Sequence, residues 1–139
     1  MIRGRLIAES FRVGAELLIS DLRVVRLGRH DVTSATLPAD ERHEGREHHG
    51  VVPAQPRIWT FVDIEAPSSA AGELAQALAN ALEPELGWWA DFSIDDAEHV
   101  VVFAGRIFRY VIGDEAARAE AVAWGRSVGT PEHQLDWGP

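Results

Sequence analysis

Cysteine and lysine are both absent from this sequence of 139 residues. Without cysteine there are no disulfides, no thiolate nucleophiles and no zinc or iron–sulfur sites built on thiolates. Without lysine there is no Schiff-base catalysis and no phosphate loop ending in lysine. No apolar run approaches the roughly 18 residues of a membrane-spanning helix, and the amino terminus lacks the apolar segment of a signal peptide. We therefore expect a cytoplasmic protein without membrane contact.

The overall charge is strongly acidic, and every basic side chain is an arginine. The formal net charge is −9, with 46% hydrophobic and 25% charged residues, which is the composition of an ordinary globular chain. The length predicts a single domain over residues 1–139. Because an acidic chain is repelled by phosphate backbones, we do not expect a nucleic-acid partner. The overall acidity has one local exception, a basic segment that contains Arg23, Arg26 and Arg29.

Residues 57–83 show a strand pattern followed by a helical one. The strand alternates aliphatic side chains with Trp59, Phe61 and then two acids. A serine pair after the strand is suited to begin a helix. Apolar side chains then recur at three- and four-residue spacing from about Ala70 to Glu83. The pattern predicts a strand followed by an amphipathic helix.

The later part of the chain contains the clearest hairpin. Two apolar runs, 99–103 and 106–112, flank an Ala-Gly pair, in which Gly105 supplies the positive φ of a two-residue turn. This turn predicts that Phe103 lies opposite Arg106. A further alternating strand over 88–94 precedes the hairpin.

A second helix is predicted after the hairpin, from an N-cap at Asp114 to about Val128, with Gly129 just beyond its end. Two earlier segments, 3–8 and 22–32, are rich in strand-forming residues, and Gly28 suggests a bulge. This order predicts an α+β fold: a mainly antiparallel sheet of about five to six strands with two helices packed on one face.

Residues 33–56 have no apolar period and are rich in charged residues, proline and histidine. They are predicted to form a mobile loop. His43, His48 and His49 lie in it beside two glutamates, but their spacing is not that of a zinc-binding His-Glu-x-x-His helix. We therefore predict no metal ion and no other cofactor.

Catalytic patterns are equally scarce. Asp91, Asp95, Asp96 and Glu98 crowd one strand and turn, but without the spacing of a calcium loop they are typical of a polar turn. Residues 125–129 read Gly-x-Ser-x-Gly, yet no strand precedes them, as a nucleophilic serine would need. We assign no catalytic residue and do not expect an enzyme.

The predicted sheet has more aromatic side chains than two short helices can cover. We expect the aromatic face to be covered by residues 1–35, by a partner or by curvature of the sheet. The predicted binding residues are Trp59, Trp89, Asp91, Phe103, Arg106, Phe108 and Tyr110. Aromatic residues and arginine are enriched at the centres of interfaces.

The last 50 residues resemble an uncharacterised family of small actinobacterial proteins. The resemblance rests on Gly-Trp-Trp-Ala-Asp-Phe from Gly87, on the hairpin, and on Pro-Glu-His-Gln-Leu-Asp-Trp from Pro131. It implies a domain and no activity. The function expected from the sequence is therefore a small acidic protein-interaction domain, either inhibitor- or immunity-like or self-associating. The alternative is a small-molecule-binding protein or enzyme with an aromatic pocket on that same sheet face.

Overall fold

The computed structural model describes residues 1–33 and 55–137. Within these ranges the chain forms six strands and two α-helices. Their bounds are β1 Ile2–Ile7, β2 Arg23–Asp31, β3 Ile58–Ala66, α1 Ala71–Ala81, β4 Trp89–Ile94, β5 Glu98–Phe103, β6 Arg106–Val111 and α2 Glu115–Ser127. The predicted loop over 33–56, with its three histidines, falls almost entirely outside the described residues.

All six strands belong to one sheet, in the order β2-β3-β1-β4-β5-β6. Every neighbouring pair is antiparallel. The first strand thus lies in the middle of the sheet, and β2 and β6 are its edges. The predicted α+β fold with an antiparallel sheet and two helices is confirmed.

The predicted hairpin has the expected register. Phe103 lies opposite Arg106, and Val101 lies opposite Phe108. Gly105 has φ +72°, as the two-residue turn requires. The bulge in β2 lies between Val24 and Arg26, not at Gly28, so its predicted position is wrong.

One side of the sheet, here called the first face, packs on α1. It carries the aliphatic residues of alternate strand positions, because successive side chains of a strand point to opposite sides. Leu74 and Leu78 of α1 are fully buried against this face. The sheet residues in this cluster are Ile2, Leu6, Ile64, Ala66, Ala90, Phe92, Ile94, Val100 and Val102. Partly buried side chains of residues 11–22 extend the cover beyond the helix.

The opposite side, here called the second face, packs on α2 and on the segment after it, here called the C-terminal segment (132–137). Val101 and Phe103 lie in one cluster with Ala121 of α2 and with Trp137. Placing both helices on one face was therefore wrong. The physical reason is that α1 already covers the aliphatic face, whereas packing on the other side buries the larger aromatic surface.

The close approach of α2 to the sheet depends on a helical glycine. A Cβ atom at Gly125 would lie 2.8 Å from Leu135 Cδ2 and 3.2 Å from Phe103 Cζ. Asp114 begins the helix as predicted, since its carboxylate accepts a hydrogen bond from the Ala117 N–H at 3.1 Å. Neither helix in the described part of the chain has the length and apolar character needed to cross a bilayer.

Candidate functional site

The aromatic side chains predicted as a binding surface are covered by the chain itself. Phe103 is 2% exposed and packs edge-on against Phe108 and Trp137, with ring centroids 6.1 and 5.8 Å apart. The cover comes from α2 and the C-terminal segment. For the β5–β6 part of this face, the expectation that residues 1–35, a partner or curvature would cover it is therefore wrong. At the other end of the face, Trp59 and Phe61 do pack against Ile7 and Val32 of residues 1–35.

The other predicted aromatic and arginine residues are also packed within the chain. Trp59 is buried with Ile7 and Trp88 in a separate cluster. Trp89 donates from its indole N–H to Gln134 Oε1 at 3.2 Å. Arg106 lies over the rings of Phe108 and Trp124, 4.9 and 5.0 Å from their centroids, which is a stacking arrangement.

Asp91 and Tyr110 are linked by hydrogen bonds through His99, a residue that sequence reasoning missed. The His99 ring is 6% exposed, its Nε2 lies 2.8 Å from Asp91 Oδ2, and its Nδ1 lies 3.0 Å from the Tyr110 hydroxyl oxygen. Burial raises the pKa of Tyr110, so its hydroxyl keeps its proton. The sequence contained a signal for this contact, because the hairpin register that pairs Val101 with Phe108 also places His99 opposite Tyr110.

The local sequence explains this row of three hydrogen-bonded side chains. Asp91, His99 and Tyr110 all occupy second-face positions on β4, β5 and β6, where cross-strand neighbours approach each other closely. A buried imidazole needs a partner at each ring nitrogen, and the two neighbouring strands supply one apiece. Both ring nitrogens of His99 are thereby paired.

Toward the centre of the sheet the second face becomes charged. Arg5 donates from Nε and Nη2 to the Asp63 carboxylate at 2.6 and 3.0 Å. This hydrogen bonding holds the pKa of Asp63 below its ordinary value. Glu65 pairs in the same way with Arg3 on one side and Arg23 on the other, at 3.3 and 3.2 Å.

A cleft of about 370 Å³ lies where this charged area meets the C-terminal segment. Arg3, Arg5, Asp91 and Ser93 form its floor, and His99 forms part of its inner side. Ile112 and Trp137 also line it. Two residues predicted from the sequence, Trp89 and Tyr110, adjoin this region but do not line the cleft. The cleft combines arginine donors with a carboxylate, a combination suited to a polar ligand.

The second exposed feature is the edge strand β2. It is nine residues long and has no buried side chain. Leu27 is 68% exposed and Val24 is 59% exposed, and both lie on the first face beyond the cover of α1. Within the described residues, β2 has a hydrogen-bonded neighbour on one side only. Long exposed edges of this kind pair readily with another strand.

No metal-binding group emerges from the part of the chain that the structure describes. No three histidine or acidic side chains there are close enough to hold an ion. Asp95 and Asp96, part of the predicted acidic cluster, form the β4–β5 turn with φ +53° and +54°. Ser127 lies in the last turn of α2 and donates to the Trp124 carbonyl at 2.7 Å, so its surroundings are those of a helix end.

The comparisons with known proteins give no functional information. The resemblance of residues 87–137 to a family of small actinobacterial proteins stays a prediction. A search against protein-family models, curated proteins and solved structures found no match to this chain.

Proposed function

We propose that this chain is a protein-interaction domain whose edge strand β2 binds an extended acidic segment of a partner protein as an additional strand. The observation that carries the proposal is the nine-residue edge strand with exposed aliphatic side chains, which has no strand on its outer side within residues 1–33 and 55–137. Strand addition uses such edges: main-chain hydrogen bonds give affinity and alternate side chains give specificity.

The charges on β2 define the chemistry of the partner. Arg23 and Arg26 lie on the second face of the strand, opposite Glu65 and Asp63 of β3. An added strand at this edge would place its own second-face side chains beside these two arginines. Within the described residues Arg26 forms no ion pair and the Arg23–Glu65 contact is long and exposed. Acidic side chains directly opposite two arginines are favourable in a sheet.

The first face of β2 calls for apolar partner residues. Val24 and Leu27 alternate with the arginines across the bulge at Val25, which is itself 50% exposed. An added strand therefore needs acidic residues at one set of alternate positions and β-branched residues at the other. Covering the two aliphatic side chains supplies apolar burial worth about 25 cal/mol per Å².

A second copy of this chain fits the edge poorly. Two β2 strands side by side place Arg23 and Arg26 of both copies close together on one face, and like charges opposite each other destabilise a sheet. The other edge, β6, is also less suited. Its six residues include Arg109, which already donates to both carboxylate oxygens of Glu98, at 2.6 and 3.1 Å.

The test uses nine-residue peptides in which valine alternates with glutamate, lysine or serine, each measured by fluorescence anisotropy against the full chain. We expect the glutamate peptide to bind best and to weaken at high salt, since exposed ion pairs are screened. Two further forms of the peptide carry N-methyl groups on alternate amides, one form for each of the two alternating sets of positions. Only one of these sets faces β2 in an added strand, so one of the two forms should lose binding. Binding that survives both methylated forms would refute strand addition.

Matched variants locate the site. The Arg23→Gln/Arg26→Gln variant is expected to bind the glutamate peptide about threefold more weakly or worse, since each cross-strand charge pair contributes about 0.2–1 kcal/mol. Arg126→Gln, which removes an exposed arginine of α2, is the control. Equal binding of the lysine peptide would overturn the proposal. So would a dimer in sedimentation velocity that Leu27→Ser dissociates, because the occupant would then be a second copy.

A further inference from the structure

The cleft on the second face contains a carboxylate, Asp91, that pairs with no arginine among the described residues. Its Oδ2 lies 2.8 Å from His99 Nε2, and the other ring nitrogen, Nδ1, lies 3.0 Å from the Tyr110 hydroxyl oxygen. The imidazole is therefore held between two partners, and it reaches one of the two carboxylate oxygens.

The neighbouring arginine does not pair with this carboxylate. Arg5 is the cross-strand partner of Asp91 in the β1–β4 pair, but its guanidinium is turned to Asp63 on the other side, where it forms two hydrogen bonds. Within the described ranges, the hydrogen bond from His99 is the one contact of the Asp91 carboxylate, and it uses Oδ2. The second oxygen, Oδ1, remains for a cationic group at the cleft.

Unused hydrogen-bond donors lie on the same floor. Arg3, the cross-strand partner of Ser93, contacts Glu65 through Nε alone, at 3.3 Å, which leaves its terminal nitrogens. Trp137, which lines the cleft and is nine-tenths buried, has an indole N–H without an acceptor among the described residues. Because that nitrogen has almost no accessible surface, Trp137 offers the cleft the apolar surface of its ring.

We infer that this cleft binds a small zwitterion of the α-amino-acid class with an apolar side chain. The ligand's ammonium group pairs with Asp91, its carboxylate group pairs with Arg3, and its apolar body lies against Trp137 and Ile112. The volume of about 370 Å³ is near the lower end of the roughly 300–1,000 Å³ of ligand pockets, which favours a small molecule. The site is separate from β2 and does not depend on the proposed function.

The test compares three molecules of equal apolar body that differ in charge: phenylalanine, phenethylamine and 3-phenylpropionate. Binding to the full chain is measured by isothermal titration calorimetry and checked by ligand-observed NMR. We expect phenylalanine to bind about tenfold more tightly than either singly charged analogue, since a charge-assisted hydrogen bond contributes about 1.5–3 kcal/mol. Equal affinity for the three molecules, or no binding of phenylalanine at millimolar concentration, would overturn the inference without any variant.

Two substitutions then separate the ends of the site. Asp91→Asn keeps an acceptor for His99, and we expect it to reduce phenylalanine affinity to that of 3-phenylpropionate while leaving 3-phenylpropionate itself unchanged. Arg3→Gln is expected to do the reverse, reducing phenylalanine affinity to that of phenethylamine. Glu73→Gln on α1 and Arg57→Gln before β3, both exposed and outside the cleft, are the matched controls. Loss of phenylalanine binding in the controls as well, or retention in both cleft variants, would contradict the assignment.

Discussion

The placement of α2 on the second face makes a quantitative prediction for two neighbouring residues of the β5–β6 hairpin. Phe103 points to the second face and is 2% exposed, whereas Ile107 points to the first face and is 36% exposed. Truncating a fully buried phenylalanine to alanine costs about 3–5 kcal/mol, as lost transfer free energy plus a cavity term. The cavity at Phe103 would open between Phe108, Trp137 and α2, where the two aromatic ring contacts of Phe103 meet.

We therefore expect Phe103→Ala to lower the free energy of unfolding by about 3–5 kcal/mol, and Ile107→Ala by about 1 kcal/mol or less. For a chain of this length the first change corresponds to a fall in Tm of roughly 10–20 °C. Urea unfolding followed by tryptophan fluorescence measures both values. Because a domain has only about 5–15 kcal/mol of stability, Phe103→Leu serves if the alanine variant does not fold.

The structure is refuted if Ile107→Ala lowers the free energy of unfolding more than Phe103→Ala does. Had α2 packed on the first face, as predicted from the sequence, Ile107 would be the buried residue and Phe103 the exposed one. An Ile107→Ala effect equal to or larger than that of Phe103→Ala would therefore show that the second face is not covered by this chain. It would also restore the aromatic surface as a candidate interface.

Two further outcomes follow from the polar contacts of the second face. Tyr110→Phe leaves a buried nitrogen of His99 without its donor, so we expect the free energy of unfolding in urea to fall by about 1–3 kcal/mol. The control Ser93→Ala, at a partly buried position, should lower it by about 0.5 kcal/mol or less. Equal losses in the two variants would contradict this prediction. Arg5 holds the pKa of Asp63 below its ordinary value of 3.8. The stability that this ion pair supplies is therefore fully present above pH 3.8, and it is lost as the pH falls through the lower pKa of the folded state. Asp63→Asn should therefore lose less stability than the unsubstituted chain between pH 6 and pH 2, and parallel curves would argue against it.

Local patterns in the sequence were sufficient for most elements of the fold. The predicted helix over 70–83 is α1, Ala71–Ala81, and the predicted helix from Asp114 to Val128 is α2, Glu115–Ser127. The hairpin register was also correct, because a two-residue turn leaves no freedom in the pairing. These features depend on neighbours in sequence, for which spacing and capping residues are direct evidence.

The failures concern contacts between distant parts of the chain. Periodicity shows which residues of α2 are apolar, but not which side of the sheet they reach, because a helix that follows an edge strand can turn either way. The position of β1 between β3 and β4 is likewise invisible to spacing. The choice is decided by which side still has uncovered apolar area after α1 has packed.

The candidate sites were predictable to different degrees. Asp91 and Tyr110 are among the binding residues that the sequence predicts, and both belong to the row of hydrogen-bonded side chains that ends at the cleft. His99 was not singled out, because a histidine in an apolar strand offers no spacing signal of its own. Arg3 was missed since its role depends on β1 lying beside β4.

One strand connects the two sides of the molecule. Five of the six residues of β5 are buried; Val100 and Val102 belong to the α1 core, and Val101 and Phe103 to the α2 core. Neither helix can therefore detach without exposing a side of the strand on which the other depends. The two layers are expected to melt together, as a single cooperative unit.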